Sequence, residues 1–453
     1  LNHLIPHIYL DSVMLMELSV GIEMQNGVKR AMALMATKPN LDLLEELGLL
    51  APKQAKVPQD GVLLAIDADT EDAAQEALKV TQTLLQSKRD LARPGGSYAS
   101  IHTTETHSIP TFASWREVPE TASVALISVP GEYAVAETWK ALKAGRHVVL
   151  FSNQVSIDDE YHLKQAAQKR GLLMLGAECG TAILGDMPLG FANLARRGSI
   201  GIVAASGSGL QEVICLLDRW GGGITHAIGV GGRDLSAKVR GSAMHAGLNL
   251  LVDDLDTHVI VLLSKPPDPK IAESILASAQ SSGKPVVVCF LGLTTDLQAG
   301  ENVFQARTLE EAACLAMRLA ELPEPTIENQ VPQSMPTDGT GATQYVRGLF
   351  SGGTLAYEAM LILTASLGPV YSNTPLDPAY KLEKGQTVAA HTVLDLGTEE
   401  YTTGVPHPMI DGRFRSELIA DAGSDPLTRV ILLDVLLGLG SDANPVASIA
   451  PGI

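Results

Sequence analysis

A short pattern occurs twice in this chain and constrains its fold more than any other feature. The copies cover residues 202–212 and 347–358, and each reads as an apolar strand, a turn of small residues and a helix that opens with a hydroxyl. Such a turn favours an anion, because its backbone N–H groups are open and the helix dipole is positive there. Glycine also lets a phosphate come close to the backbone. The pattern therefore predicts two related α/β halves and a ligand that carries phosphate or carboxylate groups.

The two copies can be aligned in two ways. Matching Ser206 with Ser351 pairs the serines, whereas matching Gly207 with Gly353 aligns a glycine, the hydroxyl that follows it and a later glutamate. We prefer the second alignment because it pairs three residues together. Two further strand–loop units follow each copy in the same order, which supports a true repeat. The alternative interpretation is that both copies are ordinary βα turns without a ligand.

Candidate phosphate-binding residues lie in these two turns and in a third glycine loop further along the first half. Their backbone N–H groups and hydroxyls are suited to holding an anion, although each hydroxyl is equally suited to capping its own helix. The predicted phosphate-binding residues are Ser206, Gly207, Ser208, Gly209, Gly231, Gly232, Gly352, Gly353 and Thr354.

Size and composition favour several α/β domains. At 453 residues the chain is long enough for three or four domains. Hydrophobic residues make up 45% of it and aromatic residues only 4%, a balance that suits close packing of helices on sheets. From about residue 108, apolar strands alternate with helical segments. This βαβ order predicts parallel sheets with right-handed crossovers.

Charge and cysteine usage argue against several classes of function. The net charge of −18 is unsuited to binding nucleic acid. The four cysteines, Cys179, Cys215, Cys289 and Cys314, are scattered without CxxC spacing, which predicts a reduced, cytoplasmic protein without a metal site. No run of about 18 apolar residues is present, so we expect no membrane span, and the first residues do not read as a signal peptide.

Several motifs between about 110 and 320 resemble the α subunit of succinyl-CoA synthetase. They are Val129-Pro130, the loops at 176–180 and 228–232, the turn at 201–212 and the Lys-Pro-Val-Val strand at 284–287. The resemblance implies a CoA-binding domain, with a CoA-like site at Val129, Pro130 and Gly131. It also implies that helix N-termini of two synthetase-like domains, here carried by one chain, point at one shared phosphate.

One departure from the synthetase concerns its chemistry. In that family a loop after the Lys-Pro-Val-Val strand carries the histidine that becomes phosphorylated, but residues 290–304 of this chain contain no histidine. No ATP-grasp domain and no GxxxxGK[ST] loop is recognisable either. The resemblance therefore does not extend to an ordinary acyl-CoA ligase that phosphorylates its own histidine.

A resemblance to the FdrA family covers essentially the whole chain. It is carried by residues 9–13, 262–267, 351–355 and 405–411. That family is linked to oxamate carbamoyltransferase in anaerobic allantoin degradation, where it acts with separate partner subunits. The reaction interconverts oxalurate plus phosphate with oxamate plus carbamoyl phosphate, which needs an acyl-phosphate pocket but no phosphohistidine. The resemblance implies this activity, with phosphate, carbamoyl phosphate or CoA as ligand, a small anionic substrate, partner subunits and a homo-oligomer as a further option.

The fold class expected from these resemblances is α/β with several doubly wound, mostly parallel three-layer domains. They comprise a CoA-binding Rossmann-like domain, two flavodoxin-like ligase domains and a small N-terminal α+β domain. The expected boundaries are 1–96 for the N-terminal domain, 97–196 for the CoA-binding-like domain, 197–335 for the first synthetase-like domain and 336–453 for the second.

Three residues are candidates for catalysis. His407 and Asp411 lie in a Pro-rich loop, where the histidine could act as acid or base, and Arg233 could clamp a phosphate or carboxylate with two N–H groups. The alternatives are a turn with exposed charges for the loop and a surface ion pair with Asp234 for Arg233. Lys265, at the end of a strand, is either a ligand-binding residue or a solvated lysine.

Two rival functions remain open at the level of sequence. The chain could be a subunit of an acyl-CoA synthetase whose ATP-grasp part lies on another chain. It could also be a non-catalytic scaffold or ligand-sensing subunit, which would bind phosphate or CoA without turnover.

Overall fold

A computed structural model describes residues 1–6, 12–37, 40–41, 44–45, 47–50, 61–91, 112, 114–293, 300–323, 344–402 and 406–453. The chain divides into two compact units, Leu1–Pro119 and Glu120–Ile453. Both predicted linkers, around 87–107 and 324–343, lie wholly or largely outside the described residues, as do the boundaries at 96/97 and 335/336, residues 9–11 and residues 403–405. The four-domain division therefore stays a prediction.

The first unit is a small α+β domain. Its elements are β1 (Asn2–Pro6), α1 (Ser12–Glu23), β2 (Val28–Met35), β3 (Gly61–Ala68) and α2 (Glu71–Leu91). The three strands form an antiparallel sheet in the order β1-β3-β2. The central strand β3 is buried along most of its length, since α1 and α2 pack on one face of the sheet and the side chains around Leu44 pack on the other.

The second unit begins with a three-stranded parallel sheet. Its elements are β4 (Val124–Ile127), α3 (Gly131–Lys143), β5 (His147–Leu150), α4 (Ile157–Gln168) and β6 (Met174–Leu175). Strands β4, β5 and β6 lie side by side in chain order. Ser156 caps α4 by accepting a hydrogen bond from the amide of Asp159.

A seven-stranded sheet follows, in the order β13-β12-β11-β9-β10-β7-β8. Its elements are β7 (Thr181–Leu184), β8 (Met187–Gly190), β9 (Arg197–Ala205), α5 (Gly207–Arg219), β10 (Ile224–Gly229), α6 (Ser242–Asp253), β11 (Val259–Ser264), α7 (Pro269–Gln280), β12 (Val286–Phe290), β13 (Val303–Gln305) and α8 (Leu309–Leu319). Strands β9 to β13 are parallel, and the hairpin β7–β8 adds an antiparallel edge. Helices α5 and α8 cover one face, and α6 and α7 cover the other. The fully buried, continuously apolar β11 is what such a two-sided sheet requires.

The last section repeats this plan with fewer strands. Its elements are β14 (Tyr345–Phe350), α9 (Gly353–Leu367), β15 (Val370–Tyr371), β16 (His391–Asp395), α10 (Glu399–Thr402), α11 (Arg413–Ser424), β17 (Thr428–Leu433) and α12 (Pro445–Ile449). The sheet order is β15-β16-β14-β17, and all pairs are parallel. Helix α9 packs on one face, whereas α11 and α12 pack on the other.

The structure confirms the predicted α/β fold with parallel sheets, and the repeat is visible in its topology. Strand β9 lies between β10 and β11, as β14 lies between β16 and β17. Helix α5 begins at Gly207 after the N-cap Ser206, and α9 begins at Gly353 after the N-cap Gly352. This is the alignment of the two copies that the sequence favoured. No described helix is long and apolar enough to span a bilayer.

Candidate anion-binding site at two helix N-termini

The N-termini of α5 and α9 touch each other. The Ser206 Oγ and Thr354 Oγ1 atoms are joined by a hydrogen bond of 2.8 Å, and the Thr354 amide donates to Ser208 Oγ at 3.3 Å. A Cβ added at Gly352 would lie 2.6 Å from the Cβ of Ser208. The two turns therefore meet, as the resemblance implied, but the anion expected between them has no room.

The turn before α9 already holds a carboxylate of the protein. Asp434, which follows β17, accepts hydrogen bonds from the Ser351 amide at 2.8 Å and the Gly352 amide at 2.7 Å. Arg415 forms an ion pair of 2.8 Å with the same carboxylate and donates to Ser351 Oγ. Both charged side chains are almost fully buried. The amide of Gly352, a predicted phosphate contact, is bonded to Asp434 in this structure.

The turn before α5 is different, because part of it is open. Ser206 Oγ accepts from the Gly209 amide at 3.0 Å, which uses one of the helix's first N–H groups. The amides of Gly207 and Ser208 make no hydrogen bond within the described part of the chain. Gly207 is exposed, and nothing lies within 4 Å of the place where its Cβ would be. This turn can receive an anion from outside.

A narrow cleft adjoins the open turn. It lies at the carboxyl ends of β9 and β10, and ligands of α/β folds usually bind outside the carboxyl ends of parallel strands. A side chain at Gly231, whose φ is +87°, would overlap the Ala177 carbonyl oxygen. The lining residues are Glu178, Cys179, Gly180, Thr181, Ala204, Ser206, Gly207, Gly229, Gly231 and Gly232. The structure thus brings the first turn and the third glycine loop together.

Arg233, a predicted catalytic residue, is held by another section of the unit. Its Nε donates to Glu160 Oε2 at 3.0 Å, and its Nη2 donates to the Val155 carbonyl oxygen at 2.9 Å. Its ion pair is thus with Glu160, not with Asp234, which instead bonds Lys164 Nζ at 2.7 Å. Two of the N–H groups expected to clamp an anion are therefore already in use.

His407 and Asp411 lie in the last section. The Met409 amide donates to His407 Nδ1 at 3.2 Å, and the Nε2 atom faces Gly397. Burial lowers the pKa of His407 to about 4. Burial opposes ionisation of Asp411, but the hydrogen bonds from Arg413 outweigh it and lower the pKa of Asp411. No contact among the described residues joins either side chain to Arg233, so the three predicted catalytic residues are not brought together.

The burial of His407 predicts a pH dependence of stability. Its folded pKa is below the ordinary value of 6.5, so the unfolded chain binds the proton more readily. The stability it confers is complete above pH 6.5 and is lost as the pH falls toward 4, by up to about 3 kcal/mol. Thermal unfolding between pH 4 and 7 should show a shallower pH dependence for His407→Gln. The exposed His162→Gln should behave like the wild type, and equal slopes for all three proteins would contradict this role.

Two charged residues flank the start of α9. A Cβ at Gly353 would overlap the Asp395 carboxylate and would lie 3.3 Å from Lys265 Nζ. Burial lowers the pKa of Lys265, against the field of Asp395, and burial raises the pKa of Asp395. Lys265 is therefore not the freely solvated lysine that the sequence allowed. Gly353 faces these charges and is not among the residues that line the cleft.

The CoA-like turn is packed within the first sheet of the unit. The Val129 amide donates to Ser152 Oγ at 3.0 Å, and Pro130 is the N-cap of α3. A Cβ at Gly131 would lie 2.5 Å from the carbonyl oxygens of Asn153 and Gln154. None of the three predicted residues lines the cleft.

Cys179 lines the cleft but is a buried thiol. Its Sγ lies 3.1 Å from the Gly229 carbonyl oxygen, and burial raises its pKa to about 12. It is therefore protonated near neutral pH and poorly suited to act as a nucleophile.

Three family models match parts of the chain. Residues 2–100 match the AllF heavy metal-associated domain, residues 195–292 match a CoA binding domain and residues 349–453 match the CoA-ligase model. The described residues of the first domain do not form a donor set that fits a heavy-metal ion. Residues 1–119 contain no cysteine, and no described group of histidine, cysteine, aspartate or glutamate could hold a metal.

Among solved structures, the dinucleotide-forming acetyl-coenzyme A synthetase 1 of Ca. Korarchaeum cryptofilum is similar at 15% identity. The TM-score is 0.38, over 77% of this chain and 76% of that one. This likeness is too low for a comparison of sites.

Curated relatives cover different lengths of the chain. Subunit SauD of the ADP-forming sulfoacetate-CoA ligase of Bilophila wadsworthia is 27% identical over 42% of this chain and 67% of that subunit. Subunit alpha 2 of the ADP-forming succinate–CoA ligase of Archaeoglobus fulgidus is 26% identical over the same shares. The uncharacterized protein YahF of Escherichia coli K12 is 38% identical over 448 residues, which are 98% of this chain and 85% of YahF. Because that identity runs along almost the whole chain, this protein belongs to the family of YahF.

Proposed function

We propose that this protein takes part in phosphate-linked acyl transfer, with the phosphoryl group of an acyl phosphate bound at the turn before α5. The observation that carries the proposal is the open amide of Gly207 in a glycine-lined cleft beside the carboxyl ends of β9 and β10; the next amide, that of Ser208, also makes no hydrogen bond among the described residues. Fixed N–H groups of this kind stabilise the charge that collects on a leaving phosphate.

The sequence supports an acyl phosphate over a phosphorylated enzyme. Residues 290–304 contain no histidine, so the segment offers no imidazole to carry a phosphoryl group. Cys179 and His407 do not replace it, because one is a protonated thiol and the other is a buried neutral imidazole. Similarity to subunits of ADP-forming CoA ligases favours an acyl-transfer reaction over a purely structural role.

The acyl group that we propose is carbamoyl, in a complex with separate partner subunits. The resemblance to the FdrA family suggests oxalurate plus phosphate as one side of the reaction and oxamate plus carbamoyl phosphate as the other. Such a transfer needs a phosphate site and a site for a small carboxylate. It needs neither a thioester nor a phosphohistidine, which agrees with the residues present.

A second candidate is an acyl-CoA ligase subunit whose nucleotide-binding part lies on another chain. The matches of residues 195–292 and 349–453 to CoA-binding and CoA-ligase models favour it. In this reaction an acyl phosphate at the open turn would be attacked by the thiol of CoA.

The two reactions can be separated in one set of assays. The protein is purified together with the products of neighbouring genes, and phosphate release is measured from carbamoyl phosphate with oxamate and from acetyl phosphate with CoA. We expect release in the first assay and no covalent label from radioactive ATP. Release only in the second assay would favour the ligase, whereas phosphate binding without release in either would indicate a ligand-sensing subunit.

The open turn predicts a specific loss of phosphate binding. Gly207→Leu should weaken the binding of inorganic phosphate at least about tenfold, because a side chain there would stand in front of the open amides. Isothermal titration calorimetry measures this directly. Gly423→Leu is the matched control, since Gly423 is an exposed glycine of α11 that likewise has no atom near its Cβ position. Equal phosphate affinity of the two variants would move the binding site elsewhere.

A further inference from the structure

Glu178 lines the cleft and has a carboxylate without a hydrogen-bond partner among the described residues. It lies in the loop between β6 and β7 and lines the cleft together with Gly207 and Gly231. Its amide donates to the Ser152 carbonyl oxygen at 3.2 Å, which anchors the backbone. Its carboxylate makes no hydrogen bond and no ion pair with the described parts of the chain. An exposed acid with no hydrogen-bond partner among the described residues thus lines the same cleft as Gly207.

The backbone at Glu178 is unusual for its residue type. Its φ is +59°, in the left-handed region that glycine and asparagine adopt most easily. A glutamate there is less stable than in the right-handed conformation. Its neighbours Ala177 and Cys179 are buried, so the loop holds the residue in place. A strained residue at the wall of a cleft is a recurrent feature of functional sites.

The pKa of Glu178 is raised. The residue as a whole is solvent-accessible, but the walls of the cleft partly desolvate its carboxyl group, which is the main cause, and the negative charges of Glu160 and Glu399 add to it. Arg233 acts in the opposite sense, but its guanidinium is bonded to Glu160. A carboxylate whose pKa is moved toward neutrality accepts a proton more readily, which is the property that a general base needs.

We propose that Glu178 is the general base of acyl transfer in this cleft, an assignment that rests on the proposed function. The amide nitrogen of oxamate, or the thiol of CoA, attacks the carbonyl carbon of the acyl phosphate, and the new bond to that carbon forms as the bond from carbon to the phosphate oxygen breaks. The Glu178 carboxylate takes the proton of the attacking group and passes it to the departing phosphate. No other reactant is needed, and charge and atoms balance.

The test uses Glu178→Gln in the full complex with its partner subunits. Carbamoyl phosphate with oxamate and acetyl phosphate with CoA are the substrates, and phosphate release is measured across pH 5–9. We expect kcat to fall at least about 100-fold with little change in KM for the acyl phosphate. The acidic limb of the pH profile of kcat/KM should disappear. Glu273→Gln, an exposed glutamate of α7, is the matched control and should match the wild type.

The possible results of this test either support or contradict the assignment of Glu178 as the general base. Retained binding of inorganic phosphate by Glu178→Gln would show that its cleft is intact, so that a loss of kcat is chemical. An active wild type with an equally active Glu178→Gln would overturn this inference alone. A wild-type complex that releases no phosphate from either acyl phosphate would overturn the proposed function together with it. A fall in kcat with an unchanged pH profile would assign Glu178 a structural role and reject it as the base.

Discussion

Replacement of Asp434 by alanine should lower the free energy of unfolding of the last section by about 3–5 kcal/mol. Asp434 and Arg415 are almost fully buried and form an ion pair of 2.8 Å. Removing the carboxylate leaves the guanidinium buried without its counter-charge. It also leaves the amides of Ser351 and Gly352 without their acceptor, and each such loss adds a desolvation cost.

Thermal unfolding measures this effect, and the expected fall in the midpoint is about 10 °C. Asp421→Ala is the control, because Asp421 is an exposed aspartate of α11 and its loss should shift the midpoint little. Hydrogen exchange should localise the loss to β14 and β17, because the Asp434 carboxylate after β17 accepts hydrogen bonds from the turn that follows β14. A midpoint for Asp434→Ala equal to that of the control would show that the pair does not hold the second turn in place.

Asp434→Asn separates charge from hydrogen bonding. An asparagine keeps one acceptor oxygen for the turn but removes the negative charge. If an external anion could bind at the turn before α9, removal of the negative charge of Asp434 would make this variant bind phosphate more tightly than the wild type. We expect no gain, because contact between the turns leaves no space beside Gly352.

The fold was predictable because its signals are local. Buried parallel strands read as short apolar runs, and each glycine–hydroxyl turn marks the start of a helix. The doubling of one turn was enough to predict a second α/β section, and the preferred alignment placed the starts of α5 and α9 correctly at Gly207 and Gly353. These features depend on residues that lie within about ten positions of each other.

The side chains that bond to the predicted site residues could not be predicted in the same way. Asp434 fills the second turn from 83 positions away, and Glu160 binds Arg233 from 73 positions away. Nothing in the local sequence of Ser351 or Arg233 indicates these partners. Glu178 left a weaker signal, since it is a glutamate in a loop of small residues, but only the cleft and the positive φ distinguish it from a surface acid.

Replacement of Lys164 by methionine is the second change with a large expected effect. Lys164 Nζ bonds Glu160 Oε1 at 2.8 Å, Asp234 Oδ1 at 2.7 Å and the Val230 carbonyl oxygen at 3.1 Å. Both carboxylates are fully buried. Methionine fills a similar volume but leaves two buried acids facing each other, so stability should fall by about 3–5 kcal/mol.

The same change should disturb the cleft, because this network ties α4 to the loop that contains Gly231. Thermal unfolding and phosphate binding are measured for Lys164→Met and for Lys169→Met, an exposed lysine that follows the same helix. We expect a loss in both measurements for the first variant only. Adding Asp234→Asn to Lys164→Met should recover part of the stability, since it neutralises the acid that has lost its cation, whereas Glu160 keeps its ion pair with Arg233. The effect of Asp234→Asn is also measured in the wild type. If Asp234→Asn destabilises Lys164→Met as much as it destabilises the wild type, repulsion between the buried acids is not the cause of the lost stability.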